Sequence, residues 1–397
     1  MSKPAARLFT ASANRNIPLA IISSLSVNRR FGAIRSFLLA SLFAVGLVAT
    51  TAPPALAGSG GWNKTGSMNN ARFYTTATLL SNGEVLVAGG GLSAATLGSA
   101  EVYNPASGKW TLTGRMTTPR YLHQAVPLQN GQVLVAGGFD GSTCCGAPPL
   151  TSAELYNAAT GVWTATGSMN VPRVSFLLVV LANGEVLAAG GANNGKSPLT
   201  SAELYNPAAG TWTPTGNMPS GFECDGSATL LPNGQVLAIC FGAASLYDPS
   251  KGAWTATSQP PPAAGGGKMG VLPNGQVWNE GDLLYTPSTG QWTAFTTPAP
   301  CSKCRGEDEV LLANGKVLGA GGEQGTFGYS TFGTIKNAEL FDPSTLTWTS
   351  TGSMIVSRTG ETLTLLSNGQ ALAAGGQTFD KNKNMLVTIT SAELYTP

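Results

Sequence analysis

Charge is what this sequence has least of. Charged residues make up 11% of its 397 positions and the net charge is +2. No basic run occurs beyond the first 35 residues, so no strong field points to nucleic acid or to an acidic membrane surface. Histidine is scarcer still: His123 stands alone. Serine–histidine–aspartate catalysis would have to run through it, and no G-x-S-x-G elbow accompanies it. A phosphate-binding loop with its lysine is also missing. The many glycine pairs follow apolar strands and open no helix, which makes them turn glycines and not a nucleotide fingerprint. Long apolar runs are lacking too. The longest, Phe37 to Ala49, is about 13 residues, against the ~20 that a bilayer-spanning helix needs.

That run belongs to a segment unlike the rest. Arg29, Arg30 and Arg35 lead into it, and Pro54-Ala55-Leu56-Ala57 places small residues where a signal peptidase reads them. Residues 1–57 are therefore expected to be a cleaved secretory signal with a basic lead-in. An uncleaved anchor is the second reading. The mature chain, 58–397, is expected outside the cytoplasm, secreted or in the periplasm or cell envelope, with no membrane insertion after cleavage.

Glycine and proline are plentiful, 51 and 25, which suits many tight turns between apolar strands. The pattern is periodic. Asn-Gly pairs recur at Asn82, Asn130, Asn183, Asn233, Asn274, Asn314 and Asn368, spaced by 48, 53, 50, 41, 40 and 54 residues. Each pair predicts a two-residue hairpin turn between apolar strands. A third strand follows with Tyr103, Tyr156, Tyr205, Tyr247, Tyr285, Phe341 or Tyr395. All but the last are followed by a short turn and then Trp110, Trp163, Trp212, Trp254, Trp292 or Trp348. The last third strand has no tryptophan behind it, while Trp62 stands orphaned before the first hairpin. The tally balances if the N-terminal strand completes the C-terminal sheet. The sequence then specifies an all-β, seven-bladed β-propeller of four-stranded blades over residues 58–397, closed so that no sheet edge is left open.

The glycine pairs Gly89-Gly90, Gly137-Gly138, Gly190-Gly191, Gly321-Gly322 and Gly375-Gly376, with the Tyr and Trp spaced behind them, resemble the kelch repeat. The resemblance covers residues 60 to 397 and implies a propeller like the central domain of galactose oxidase. Blades 4 and 5 depart from it, with Ile239-Cys240 and Glu280-Gly281 where Ala-Gly stands elsewhere. A copper radical oxidase of that kind is expected to use two histidines and two tyrosines, a set that one histidine cannot complete. His123, at a place where kelch repeats often carry one, reads as structural. No cofactor or metal is expected.

In an up-and-down blade the Asn-Gly turns lie on one face, and the connections from strand 2 to strand 3 and from blade to blade lie on the other. The turn face is nearly uniform. The loop face holds the length variation, at Phe139 to Thr151, Glu323 to Lys336 and Gln377 to Thr390, and function favours variable loops on a rigid scaffold. Ten residues before the turn asparagine stand Arg72, Arg120, Arg173 and Arg358 in blades 1, 2, 3 and 7. Two readings are open: bonds to carbonyls of a neighbouring blade, or a partial guanidinium ring at the channel mouth suited to a carboxylate or sugar hydroxyls. Blades 4 to 6 carry polar replacements nearby: Glu223, Cys224 and Asp225, then Lys268, then Cys301, Cys304, Arg305 and Glu307. These either mark a one-sided ligand pocket or are a decayed repeat with solvated charges.

In an exported protein the cysteines are disulfide candidates before they are metal ligands. Cys301 and Cys304 would bridge locally, Cys144 and Cys145 are adjacent, and Cys224 and Cys240 flank one hairpin. With a two-residue turn the position opposite Cys240 is Ser227. The repeat tryptophans read as packing, and Trp278, outside the pattern, as a candidate for ligand stacking. Three functions are compatible with these residues. The first is a module binding an extracellular glycan or protein through the loop face. The second is a carbohydrate-active enzyme of the epimerase or mutarotase kind, with Glu223 or Glu307 as proton carrier. The third is a structural envelope or matrix protein.

Overall fold

A computed structural model describes residues 60–92, 95–141, 149–193, 198–219, 227–240, 243–261, 268–279, 283–295, 308–324 and 333–397, without the side chain of Cys240. Seven four-stranded antiparallel sheets follow one another along the chain. Blade 3 shows the plan: Leu177–Val180 is innermost, then Val186–Ala189, Ala202–Asn206 and, outermost, Thr211–Thr215. Every residue of Val186–Ala189 is buried, as a strand needs when its sheet is sandwiched between two others. In the outermost strand only Trp212 is buried, because that strand's far edge meets solvent.

The ring closes as the tryptophan tally requires. Gly61–Lys64 pairs antiparallel with Ala392–Thr396 and becomes the outer strand of blade 7, setting Trp62 opposite Tyr395. Their ring centroids lie 5.3 Å apart, close to the 5.0 Å of Tyr103 and Trp110 inside blade 1. Three further two-stranded hairpins stand on the loop face in blades 1, 6 and 7: Gly91–Leu92 with Ala95–Thr96, Glu323–Gln324 with Gly333–Thr334, and Gln377–Asp380 with Met385–Thr388.

The Asn-Gly turns differ from the two-residue form. Gly83 N donates to Leu80 O (2.9 Å) and Leu80 N to Glu84 O (2.8 Å), and only the glycine has a positive φ, 83°. This is a type I turn followed by a left-handed glycine, a three-residue loop. Asn82 serves by accepting a hydrogen bond from Glu84 N through its side chain (3.0 Å), so asparagine is chosen for its side chain and not for left-handed backbone. One residue more in the loop shifts the register by one. In blade 4 Ala228 pairs with Ala238, and Ile239 N donates to Ser227 O, so Ile239, not Cys240, lies level with Ser227.

Adjacent blades are joined by a repeated set of bonds. The third-strand tyrosine hydroxyl meets a threonine at the end of the preceding blade: Tyr103 with Thr65 (2.7 Å), Tyr156 with Thr113 (2.8 Å), Tyr205 with Thr166 (2.7 Å), Tyr247 with Thr215 (2.8 Å), Tyr285 with Thr257 (3.0 Å) and Tyr395 with Thr351 (2.8 Å). Tryptophan Nε1 donates across the same seams, as from Trp110 to Gly66 O (2.8 Å) and from Trp163 to Gly114 O (2.9 Å). Beneath these bonds each seam holds its own apolar cluster, so the core is a ring of seven interfaces.

Candidate functional site

The four arginines are placed by the connection that enters each inner strand, and none of their side chains reaches solvent. Arg72 Nη1 donates to Gly89 O (2.7 Å) and Ser99 O (3.0 Å), and its Nη2 to Ser99 Oγ (3.3 Å) and Glu101 Oε1 (2.8 Å). Arg120, Arg173 and Arg358 repeat the arrangement with Glu154, Glu203 and Glu393. Burial pulls the Arg72 guanidinium down from its ordinary pKa, and Glu101 opposes that pull. Burial pushes the Glu101 carboxyl up, and Arg72 with the amides of Asn69 and Asn70 more than offsets it, leaving the carboxyl below the usual range. The same glutamate thus fastens the chain entering the blade and neutralises the arginine.

This corrects both readings of these arginines. A guanidinium spent on two carbonyls, a hydroxyl and a carboxylate, with no exposed surface, offers nothing to a ligand at the channel mouth. Nor do the side chains bond a neighbouring blade. The bond between blades is made by the arginine's own carbonyl, which accepts from the second glycine of the pair in the preceding blade: Gly90 N to Arg120 O (2.9 Å), Gly138 N to Arg173 O (2.9 Å), Gly322 N to Arg358 O (2.8 Å) and, across the closure, Gly376 N to Arg72 O (3.0 Å). The glutamate partners were missed, although the sequence carries their signal. Ser-Ala-Glu precedes the third-strand aromatic in the four arginine blades, and Ser245 and Leu283 replace the glutamate in blades 4 and 5.

His123 is buried, its Nε2 is 3.0 Å from Thr76 Oγ1 in blade 1, and its ring packs over Gly89. Burial, and then the charge of Arg120, push its pKa down to about 3. Phe176 holds the same slot in blade 3, over Gly137, and Glu361 in blade 7, over Gly321. Trp278 does not reach the surface for stacking. It is 4% exposed and packs in the seam between blades 5 and 6, fitted there by Gly270 opposite, where a Cβ would lie 2.9 Å from its Nε1.

Among the described residues, Lys268 is the ligand-binding candidate that faces solvent. It enters the inner strand of blade 5, and its side chain is 49% exposed. Its Nζ pairs with Asp308 Oδ1 at the start of the inner strand of blade 6. Asp308 is buried and accepts from Glu309 N (3.1 Å) and, across the channel edge, from Leu363 N in blade 7 (2.6 Å). Burial pushes its carboxyl up from the ordinary range, and Lys268 and the two amides pull it part of the way back. One carboxylate therefore links three blades at the loop-face mouth of the channel. Beside it, the hairpins of blades 6 and 7 are tied through Thr334, whose Oγ1 lies 2.9 Å from Ser357 Oγ and accepts from Phe379 N (3.1 Å).

Glu223, Cys224, Asp225, Cys301, Cys304, Arg305, Glu307, Cys144 and Cys145, and the side chain of Cys240, lie outside the described residues. Among the described residues no group of three or more His, Cys, Asp or Glu side chains could hold a metal ion, and no helix is long and apolar enough to cross a membrane.

The family model described as "Kelch motif" matches residues 72–117, 120–170 and 173–219, the three intact arginine blades that follow the closure. No curated protein matches the sequence. Among solved structures, the chain is similar to a fungal alcohol oxidase described as having "catalytic diversity among the AA5 family, in complex with copper". The TM-score is 0.61 at 19% identity, over 85% of this chain and 76% of that one. At that identity the likeness shows the fold alone. The residues here do not fit a copper centre of that kind, since the single histidine is buried with its Nε2 on Thr76. Seven four-stranded sheets make the fold a seven-bladed β-propeller, and three of its blades match the kelch motif.

Proposed function

We propose that this propeller is an exported binding module, and that its loop face, around Lys268, holds an extracellular glycan or protein. The observation that carries this reading is the contrast between the two faces. The turn face repeats one loop seven times, with each asparagine bonding the backbone amide two residues on. The loop face carries the three added hairpins and the half-exposed Lys268. A rigid disc with one varied face is the arrangement that recognition sites on loops require. The basic, apolar and small-residue segments within residues 1–57 support export.

The test uses the chain from residue 58 on a glycan array and in pull-downs against extracellular matrix proteins. Binding that falls at least about tenfold in Lys268→Ala, and in Glu223→Ala or Arg305→Ala, supports the reading, since one lost charge-assisted contact is worth about 1.5–3 kcal/mol. Binding indifferent to all three variants would move the site off this face.

A further inference from the structure

Among the described residues, blade 5 has fewer of the repeated ties than blades 1, 2, 3 and 7. Ala264 and Leu283 occupy the sequence slots of the arginine and glutamate, so blade 5 lacks the pair that fastens blades 1, 2, 3 and 7. On one side, among the described residues, the seam with blade 4 has a core of four fully buried residues, Leu231, Leu237, Val277 and Tyr285. The clusters of the 3–4 and 6–7 seams hold ten and eleven. On the other side, the tyrosine-to-threonine bond that joins every other seam is gone. Phe341 stands for the tyrosine and Phe295 for the threonine, and the rings stack at 4.5 Å and 12°. A stacked pair of phenyl rings gives contact without direction, so it resists sliding less than a hydrogen bond does. A glycine amide donates to a glycine carbonyl across the 7–1, 1–2, 2–3, 3–4 and 6–7 seams. Ser258 and Thr296 hold that glycine's slot on the two sides of blade 5, and at the 4–5 seam the Ser258 hydroxyl donates to Gly290 O in place of the amide.

Against this loss, among the described residues, stands the Lys268–Asp308 pair at the channel mouth, with Asp308 anchored to blade 7 through Leu363 N. In a repeat ring stability is close to a sum of unit and neighbour terms, so a unit with two weak seams can open while the others stay folded. We propose that blade 5 is the opening element of the ring and that the Lys268–Asp308 pair is its latch. Opening separates the inner strand Met269–Val271 from the channel and exposes the side of blade 6 that Trp278 covers. The proposal is independent of what the loop face binds.

Hydrogen exchange followed by mass spectrometry on the full chain tests it. Amides in residues 268–295 should exchange at least about tenfold faster than those in the matching strands of blades 1 to 3. Lys268→Met should raise that rate further while leaving blades 1 to 3 unchanged. The pair Phe295→Thr with Phe341→Tyr, which restores the bond found at the other seams, should lower it. Exchange in blade 5 no faster than in blades 1 to 3 overturns the proposal, as does a Lys268→Met variant in which blade 5 is unaffected or all blades speed up alike. Should the double variant fail to fold, those two comparisons decide.

Discussion

His123 shows how one position of a repeat can be read from its copies. The slot over the first glycine of the pair takes a phenyl ring in blade 3, an imidazole in blade 2 and the Glu361 side chain in blade 7, so it accepts different groups, and in blade 2 burial keeps the imidazole neutral. Neutrality has a consequence in acid. An unfolded histidine titrates near 6.5, while the buried one holds out to about 3. Between those values the unfolded chain binds a proton that the native chain refuses, so stability falls as pH drops through that window, by about 1.4 kcal/mol per pH unit. His123→Phe should remove this dependence at a cost of about 1 kcal/mol for the hydrogen bond lost from Thr76. Denaturant midpoints at pH 7.5 and pH 5 would show it: the gap between the two should narrow in the variant. At the arginine positions the prediction is structural. Arg173→Met leaves Glu203 buried without its cation and should cost about 3–5 kcal/mol. A melting temperature within a degree or two of the parent would mean that the pair is not the fastening it looks to be.

At the scale of strands and turns, the repeat made most of the fold legible. Strand number, order and polarity follow from the spacing of Asn-Gly, tyrosine and tryptophan, because the copies average out local ambiguity. What could not be read was the turn conformation, because Asn-Gly fits two loops of different length and the side-chain bond that selects one of them is not visible in composition. The register around Cys240 shifted for that reason. In the three-residue loop the glycine alone carries the left-handed φ, as Gly184 does at 85°. Gly184→Ala should therefore cost about 1–2 kcal/mol, whereas Asn183→Ala should cost about 1 kcal/mol through the lost bond to Glu185 N. A Gly184→Ala variant as stable as the parent in urea titrations would contradict the turn assignment. The candidate site was less legible. Lys268 stood out by type, but its partner Asp308 lies 40 residues on in another blade, and only the closed ring brings the two together. The arginines were conspicuous for the opposite reason: they recur because the scaffold needs them.

At the scale of the whole ring, closure rests on a short segment doing two things. Gly61–Lys64 supplies the outer strand of blade 7, and the residues after it reach across the seam to blade 1, where Thr65 meets the Tyr103 hydroxyl (2.7 Å) and Gly66 N donates to Gly108 O (3.0 Å). The N-terminal strand therefore sits in the last blade and ties it to the first. Trp62 fills the pocket beside Tyr395 that each other blade fills from its own outer strand. Trp62→Ala should cost about 3–5 kcal/mol, as for other large aromatic side chains removed from a core. Deleting residues 60–66 should do more, because it leaves Ala392–Thr396 as an open apolar edge and undoes the tie to blade 1 at once. Exposed edges of that kind pair with other chains. The truncated protein should melt well below the parent and form oligomers that grow with concentration, measured by thermal scanning and by light scattering after size exclusion. Trimming Lys381 to Lys383 from the exposed hairpin tip is the control and should change neither. A truncated chain that stays monomeric with an unshifted melting temperature would mean that the ring does not need its N-terminal strand, and the count of seven complete blades would fail with it.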